Sequence, residues 1–311
     1  MTSPGHGSPS PGPETGLVLC ISGGIYTVET PSGVTRASLR GRVKRKDDRI
    51  VSVGDRVAIE DADGDRRITE LLPRRSALTR HGVARRREQV IVANVDQVVV
   101  TVAACTPQPD LLMIDRLLAL AELSEIQGLI VANKIDLSPG GELPEILERY
   151  LAAGYGVLRV SALTGEGLEA LVDRLGEKIS VLTGQSGVGK SSLLNALIPE
   201  LDLRVGEVGA RKGRGRHTTV ASALYSYPAG GYVADTPGLQ YLSLWDVNPV
   251  TLGQGFVEFA SFASGCRFTD CRHRHEPGCE VHAAVDRGEI RARRYESYLG
   301  LLDEAEGNLS R

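Results

Sequence analysis

Aromatic residues are scarce in this chain, with one Trp, four Phe and nine Tyr among 311 residues. No stretch approaches the ~20 consecutive apolar residues that cross a bilayer, and no charged-then-apolar leader precedes a cleavage-type sequence, so the expectation is a cytoplasmic protein with no membrane partner. Net charge is small too, −3 at pH 7 with 24% charged residues. That balance excludes a uniformly basic nucleic-acid coat and an acidic disordered tail. Cysteine is limited to five. Cys266, Cys271 and Cys279 crowd together while Cys20 and Cys105 stand alone in apolar, strand-like segments. An odd count with one tight cluster points to a metal site rather than a disulfide framework, and to buried small hydrophobes at the two lone positions. At this length roughly three quarters of the unfolded chain's surface can be buried, so the bulk needs no staple. Roughly 100–200 residues per domain gives two or three domains.

The small net charge hides an uneven distribution. Six of the 36 basic residues fall between Arg36 and Lys46. A second dense group runs from Arg74 to Arg87, others lie between Arg204 and Arg216, and Arg291, Arg293 and Arg294 form a further one. Residues 1–16 hold four prolines and four glycines and no apolar run, which reads as a disordered tail. From Leu17 to about Leu78, short alternating segments rich in β-branched residues are broken by turn pairs such as Gly23-Gly24. Four or five short strands suit an oligonucleotide-binding (OB) barrel. Arg40, Arg42 and Lys44 fall on one face of a strand, with Arg45 and Lys46 beside them, and such a ridge suits an RNA phosphate backbone.

Beyond residue 85 the pattern changes to continuous apolar runs, VDQVVVTVAA, GLIVAN, GVLRVSA, ISVLTG and GYVADT. The helical patterns DLLMIDRLLALAEL and GELPEILERYLAAG lie between the first of them. Strands covered on both faces predict a parallel α/β sheet whose ligands sit at the strands' carboxyl ends. Residues Gly184, Gln185, Ser186, Gly187, Val188, Gly189, Lys190 and Ser191 fit G-x-x-x-x-G-K-[ST] between a strand and a helix that begins with Ser192 close behind. In such a loop backbone N–H groups wrap phosphates, Lys190 reaches the β- and γ-phosphates, and the Ser191 hydroxyl ligates Mg²⁺. Asn133-Lys134-Ile135-Asp136 matches the N-K-x-D element, in which a carboxylate accepts from N1–H and the 2-amino group of guanine; adenine lacks both donors, which disfavours an ATPase or kinase. Ser161-Ala162-Leu163 matches the accompanying S-A-x element. Asp235-Thr236-Pro237-Gly238 matches D-x-x-G, in which Asp235 holds Mg²⁺ through water and the Gly238 N–H senses the γ-phosphate. Between them the loop RVGEVGARKGRGRHTT offers Thr218 or Thr219 as a further metal ligand. The position after D-x-x-G, commonly a water-orienting glutamine, holds Leu239, and Gln240 comes one place too late, so slow intrinsic hydrolysis and stimulation by a partner are predicted.

The order of these elements is base, base, phosphate, switch, switch, which is that of a circularly permuted GTPase. With the phrases LRGR, VGDRV, IVANVDQVVV and GRGRHTT and a cysteine-rich end, the chain resembles the ribosome small-subunit-dependent GTPase A family over nearly all of residues 15–305. The resemblance implies an OB domain at 17–84, a permuted α/β P-loop GTPase domain at 85–245 and a mainly helical zinc-binding domain at 246–311. It implies one structural zinc held by Cys266, Cys271, His273 and Cys279, its C-x-H pattern selecting His273 over His275 and His282. It points to His217 as the group that positions water, with Lys190, Thr219 and Gly238 completing the catalytic set. Its implied activity is GTP hydrolysis in late maturation of the small ribosomal subunit, stimulated by that subunit and its rRNA and coupled to release. An RNA-binding scaffold with structural GTP is the alternative. Nothing resembles a coiled coil, so a monomer is expected.

Overall fold

The computed structural model describes residues 13–39, 50–62, 64–82, 85–138, 145–201, 223–235 and 247–309. The first five strands are β1 (Glu14–Ser22), β2 (Ile25–Thr30), β3 (Gly33–Leu39), β4 (Arg56–Ala62) and β5 (Asp65–Leu71). They pair in the order β1-β2-β3-β5-β4, and β4 returns to β1, closing an OB-like barrel. Along β2 the inward Tyr26, Val28 and Thr30 alternate with outward neighbours, the period-two pattern of a strand with one buried face. Strand β1 starts at Glu14, inside the segment expected to be tail. There Glu14 has a reason to be ordered, because its carboxylate accepts from the Ser32 N–H at 3.0 Å, the Ser32 hydroxyl at 2.7 Å and Arg66 at 3.1 Å.

Strands β6 (Ala77–Gly82) and β7 (Arg85–Ala93) form a two-stranded hairpin of their own. The boundary expected at 84 falls inside it. Leu78 and Val92, at the hairpin's base, are buried in one core with Leu17 and Val53 of the barrel region and Val98 and Val100 of the next strand. The barrel and the α/β sheet therefore share packing across the hairpin.

The α/β region runs β8 (Gln97–Ala103), α1 (Leu111–Leu123), β9 (Gln127–Asn133), α2 (Glu145–Ala152), β10 (Gly156–Arg159), α3 (Leu168–Leu175), β11 (Ile179–Thr183), α4 (Lys190–Leu197), β12 (Ala223–Ser226) and β13 (Tyr232–Asp235). Its sheet order is β10-β9-β8-β11-β13-β12. Every residue of β8 and β11 is buried, as strands covered on both faces must be. Helices α1 and α2 pack on one face, where Val98, Val100 and Val102 meet Ile114, Leu118 and Leu147. Helices α3 and α4 pack on the other, where Val99 meets Leu171 and Leu193. The five strands from β10 to β13 are parallel, as expected from the sequence. Strand β12 departs from that expectation: it is antiparallel to β13, and its outer side pairs with β1 at Cys20 and Ala223. The barrel thus covers an edge that would otherwise offer unpaired backbone.

The C-terminal region passes through short 3-10 turns at Leu252–Gly255 and Val257–Phe259 into α5 (Ala260–Ala263), α6 (Glu280–Asp286) and α7 (Ala292–Leu309). Its core of Leu252, Phe256, Phe259, Val281, Tyr298 and Leu301 also takes in Ala119 of α1. Helix α1 is consequently buried on two sides, by the sheet and by this domain. Among the described residues no helix is long and apolar enough to cross a membrane.

Candidate functional site

Strand β11 runs directly into the loop 184–189 and helix α4, and strand β9 ends at Asn133 beside it. Asn133 is 1% exposed. Its amide nitrogen donates to the Val188 carbonyl at 2.9 Å while its amide oxygen accepts from the Ala162 N–H at 3.0 Å. One side chain therefore ties the N-K-x-D, S-A-x and phosphate-loop segments together. Lys134, in the left-handed region at φ 67°, donates through Nζ to the carbonyls of Gly187 at 2.6 Å and Thr106 at 2.9 Å. The Ser161 hydroxyl donates to the Asp136 carboxylate at 2.5 Å and accepts from the Leu163 and Thr164 N–H groups at 3.3 and 3.1 Å. This orients Asp136 beside the S-A-x turn. Lys190 donates to the carbonyls of Gly184 and Gln185 at 2.7 and 2.6 Å, and Ser191 is buried in the first turn of α4. Gln185 also accepts, at 3.3 Å, from the N–H of Asp110, the N-cap of α1. Ser186, Gly187, Val188, Gly189 and Ser192 complete the loop and the helix start.

Asp235 closes β13, two strands from β8 across β11. Its side chain, together with His217, Thr218, Thr219 and Gly238, lies outside the described residues, as does the basic run of Arg40, Arg42, Lys44, Arg45 and Lys46. Further along the chain, Arg74 donates to the buried Asp55 carboxylate at 2.7 and 2.8 Å and to the Ile50 carbonyl at 2.8 Å.

The second cluster is in the C-terminal domain. One ligand atom each from Cys266, Cys271, His273 and Cys279 all lie within 4.8 Å of one another. His273 Nδ1 is 3.6 Å from Cys266 Sγ and 3.5 Å from Cys279 Sγ, and the latter two are 4.0 Å apart. With Zn–S near 2.3 Å and Zn–N near 2.0–2.1 Å, a tetrahedral ion holds its ligands about 3.5–3.8 Å apart, so this donor set fits a closed structural zinc. Burial pushes the Cys271 thiol up to about 12, so a bound cation is what would draw the proton off. Burial also lowers His273, favouring the neutral imidazole that metals take. The competing imidazoles are elsewhere: His275 is exposed, and His282 lies 3.4 Å from Asp286 with 49% of its side chain exposed.

Two sequence expectations need correction. Arg294, grouped with surface basic residues, is 1% exposed. Its guanidinium donates to Glu258 at 2.6 and 3.0 Å and to Asp115 of α1, and lies 4.7 Å from the Phe256 ring centroid. An arginine with two carboxylates and an aromatic face on offer turns inward. Cys20 and Cys105 are half-buried rather than buried, because one stands at the β1–β12 seam and the other in the loop after β8.

The family model described as RsgA GTPase matches residues 71–245. The chain is 45% identical to the small ribosomal subunit biogenesis GTPase RsgA of Gemmatimonas aurantiaca, covering 94% of this chain and 98% of that one. The chain belongs to the RsgA GTPase family. It is a GTP hydrolase. The RsgA relative from Moorella thermoacetica is 43% identical over 93% of this chain and 96% of its own. Among solved structures, YjeQ from Thermotoga maritima superposes with a TM-score of 0.80 at 37% identity, covering 95% of this chain and 99% of that one. YloQ, described as a circularly permuted GTPase, superposes with a TM-score of 0.75 at 30% identity, covering 95% and 96%. The family match begins at the end of β5 and runs seven residues past the D-x-x-G element, while the RsgA relatives cover more than nine tenths of the chain. No role for Asp55, Asp115 or Glu258 was read from the sequence; the only signal they carry there is charge close to apolar residues.

Proposed function

We propose that this GTPase binds the small ribosomal subunit late in its maturation, that the subunit stimulates hydrolysis, and that hydrolysis releases the protein. What supports this reading is the similarity, over more than nine tenths of the chain, to relatives named small ribosomal subunit biogenesis GTPase, together with the bracing of Asn133 and Asp136 against the phosphate loop and S-A-x turn. The protein would act in the cytoplasm, as a monomer.

Asp136, oriented by Ser161, reads guanine, with the Ala162 and Leu163 backbone flanking the base. Backbone N–H groups of residues 184–192 cradle the phosphates and Lys190 offsets their charge. Ser191 and Asp235, with Thr218 or Thr219, would hold Mg²⁺, which would supply positive charge against the negative charge developing on the phosphates. The Gly238 N–H senses the γ-phosphate. His217 orients the attacking water, a task that hydrocarbon at Leu239 cannot perform. The barrel's Arg40, Arg42, Lys44, Arg45 and Lys46 contact rRNA phosphates, and Cys266, Cys271, His273 and Cys279 hold one structural zinc.

The test is GTP turnover with and without purified small subunits at several salt concentrations. Stimulation that falls as salt rises supports docking through basic faces; equal turnover with and without subunits sinks the reading. Completion of such sites is worth roughly 10³–10⁵ in rate, so His217→Ala is expected to abolish stimulation while GDP affinity stays unchanged. Subunit affinity must also differ between GTP-analogue and GDP forms, because a ligand with no differential effect switches nothing.

A further inference from the structure

The zinc-site turn pivots on His273, a non-glycine residue held at φ 55° in the left-handed region. Helix α7 fixes that conformation from both sides. The Tyr298 hydroxyl donates to the Arg272 carbonyl at 2.5 Å, and the Tyr295 hydroxyl donates to the His273 carbonyl at 2.6 Å. Those carbonyls belong to the two rigid peptide planes that meet at the His273 Cα, so pinning both removes the freedom of its φ and ψ. The N–H side of the same turn is held by Glu276, which accepts from the backbone of Arg272 at 3.1 Å, Arg274 at 2.9 Å and His275 at 3.1 Å. These bonds aim the imidazole at Cys266 and Cys279.

Tyr295 and Tyr298 follow Arg294 on the same helix, and Arg294 is the residue locked to Asp115 of α1 and to Glu258. The helix that aims the metal ligand is therefore the helix that anchors the domain to the GTPase core. We propose that Tyr295 and Tyr298 are positioning residues for the ligand His273, and that through Arg294 occupancy of the metal site is coupled to docking of the C-terminal domain on α1. The proposal rests on the zinc reading above. Coupling of this kind is reciprocal: whatever zinc contributes to fixing the turn it also contributes to holding α7 in place.

The experiment uses the full chain. Zinc is withdrawn by graded competition with a chromophoric chelator from the wild type, Tyr295→Phe, Tyr298→Phe and the double variant. Outer partners of metal ligands change affinity by roughly 10–100-fold, and the double variant is expected to lose that much, with each single variant losing less. Its cobalt-substituted form is expected to show altered ligand-field bands at saturation, a geometry readout that general loosening would leave in place. Hydrogen exchange of the wild type before and after chelation is expected to rise in residues 111–119 of α1 as well as in 266–286. Zinc affinity of the double variant within two-fold of wild type overturns the positioning role, and an exchange increase confined to 266–286 overturns the coupling. A wild-type chain that takes up no zinc at all defeats the zinc reading itself and is told apart at the first titration.

Discussion

Asn133 shows how few atoms hold the nucleotide site in register. Its amide nitrogen serves the phosphate loop and its amide oxygen serves the S-A-x turn, so a shift of either segment costs the other its partner. Gly189 lies against it at φ 93°, and a Cβ there would fall 2.4 Å from the Asn133 amide nitrogen. Gly189→Ala is expected to weaken GDP binding by roughly 10–100-fold, the equivalent of about 1–3 kcal/mol of strain, with the fold retained by circular dichroism. Asp136 is the residue proposed to read the base. Hydrogen bonds to charged groups are worth about 1.5–3 kcal/mol each, so Asp136→Asn is expected to cost roughly 100-fold in GDP affinity. The same variant should gain affinity for xanthosine diphosphate, whose carbonyl at C2 can accept from the new amide. Titrations showing an unchanged guanine preference would remove Asp136 from the base site. Most of this site was legible in the sequence, because the phosphate loop is one contiguous segment whose chemistry depends on local backbone. The role of Asn133 as a brace was not, since its partners lie 29 and 55 positions away.

Helix α1 carries structure on two faces, and its sequence shows only one of them. The 3.6-residue apolar pattern announces a helix packed on a sheet. It does not announce that Asp115 is buried against Arg294 or that Arg116 pairs with Glu304, both on α7. Removing one member of a buried ionic cluster leaves the rest uncompensated, at about 3–5 kcal/mol. Arg294→Met is expected to destabilise the protein by that amount in denaturant titration, and replacing Asp115, Glu258 and Arg294 together by apolar residues should recover most of the loss. Glu122, on the same helix, gives a pH signature. Burial raises its carboxyl above the ordinary value, while Tyr155 and Arg294 pull it partly back. A raised acid binds its proton more tightly folded than unfolded. It is therefore harmless below the unfolded value near 4.5 and destabilising as pH rises through the folded value. Glu122→Gln should raise Tm at neutral pH and leave it unchanged near pH 4; identical melting curves at both pH values would contradict this.

Among the described residues, the barrel, the permuted GTPase sheet and the C-terminal domain share packed cores. The barrel joint turns on Gly54, at φ 85°, whose position leaves no room for a Cβ: one would lie 2.2 Å from the Ala93 carbonyl oxygen. Ala93 donates to the Val53 carbonyl at 2.8 Å and the Asn94 amide donates to the Gly54 carbonyl at 2.9 Å, completing the joint. Gly54→Ala is expected to cost at least about 1–3 kcal/mol and to separate the thermal unfolding of barrel and sheet into two transitions. A single transition with an unchanged midpoint would show that the joint carries no coupling.

The sequence by itself determined the fold class, the permuted order of the nucleotide motifs and the metal-type cysteine cluster. Each of these is written in contiguous residues whose backbone conformation or donor chemistry is local. Tertiary structure alone decided that Arg294 turns inward and that β12 runs antiparallel and is capped by the barrel. Those outcomes depend on which distant groups meet. A lone charge and a four-residue strand carry no local preference strong enough to choose, and it is burial against a remote partner that settles each one.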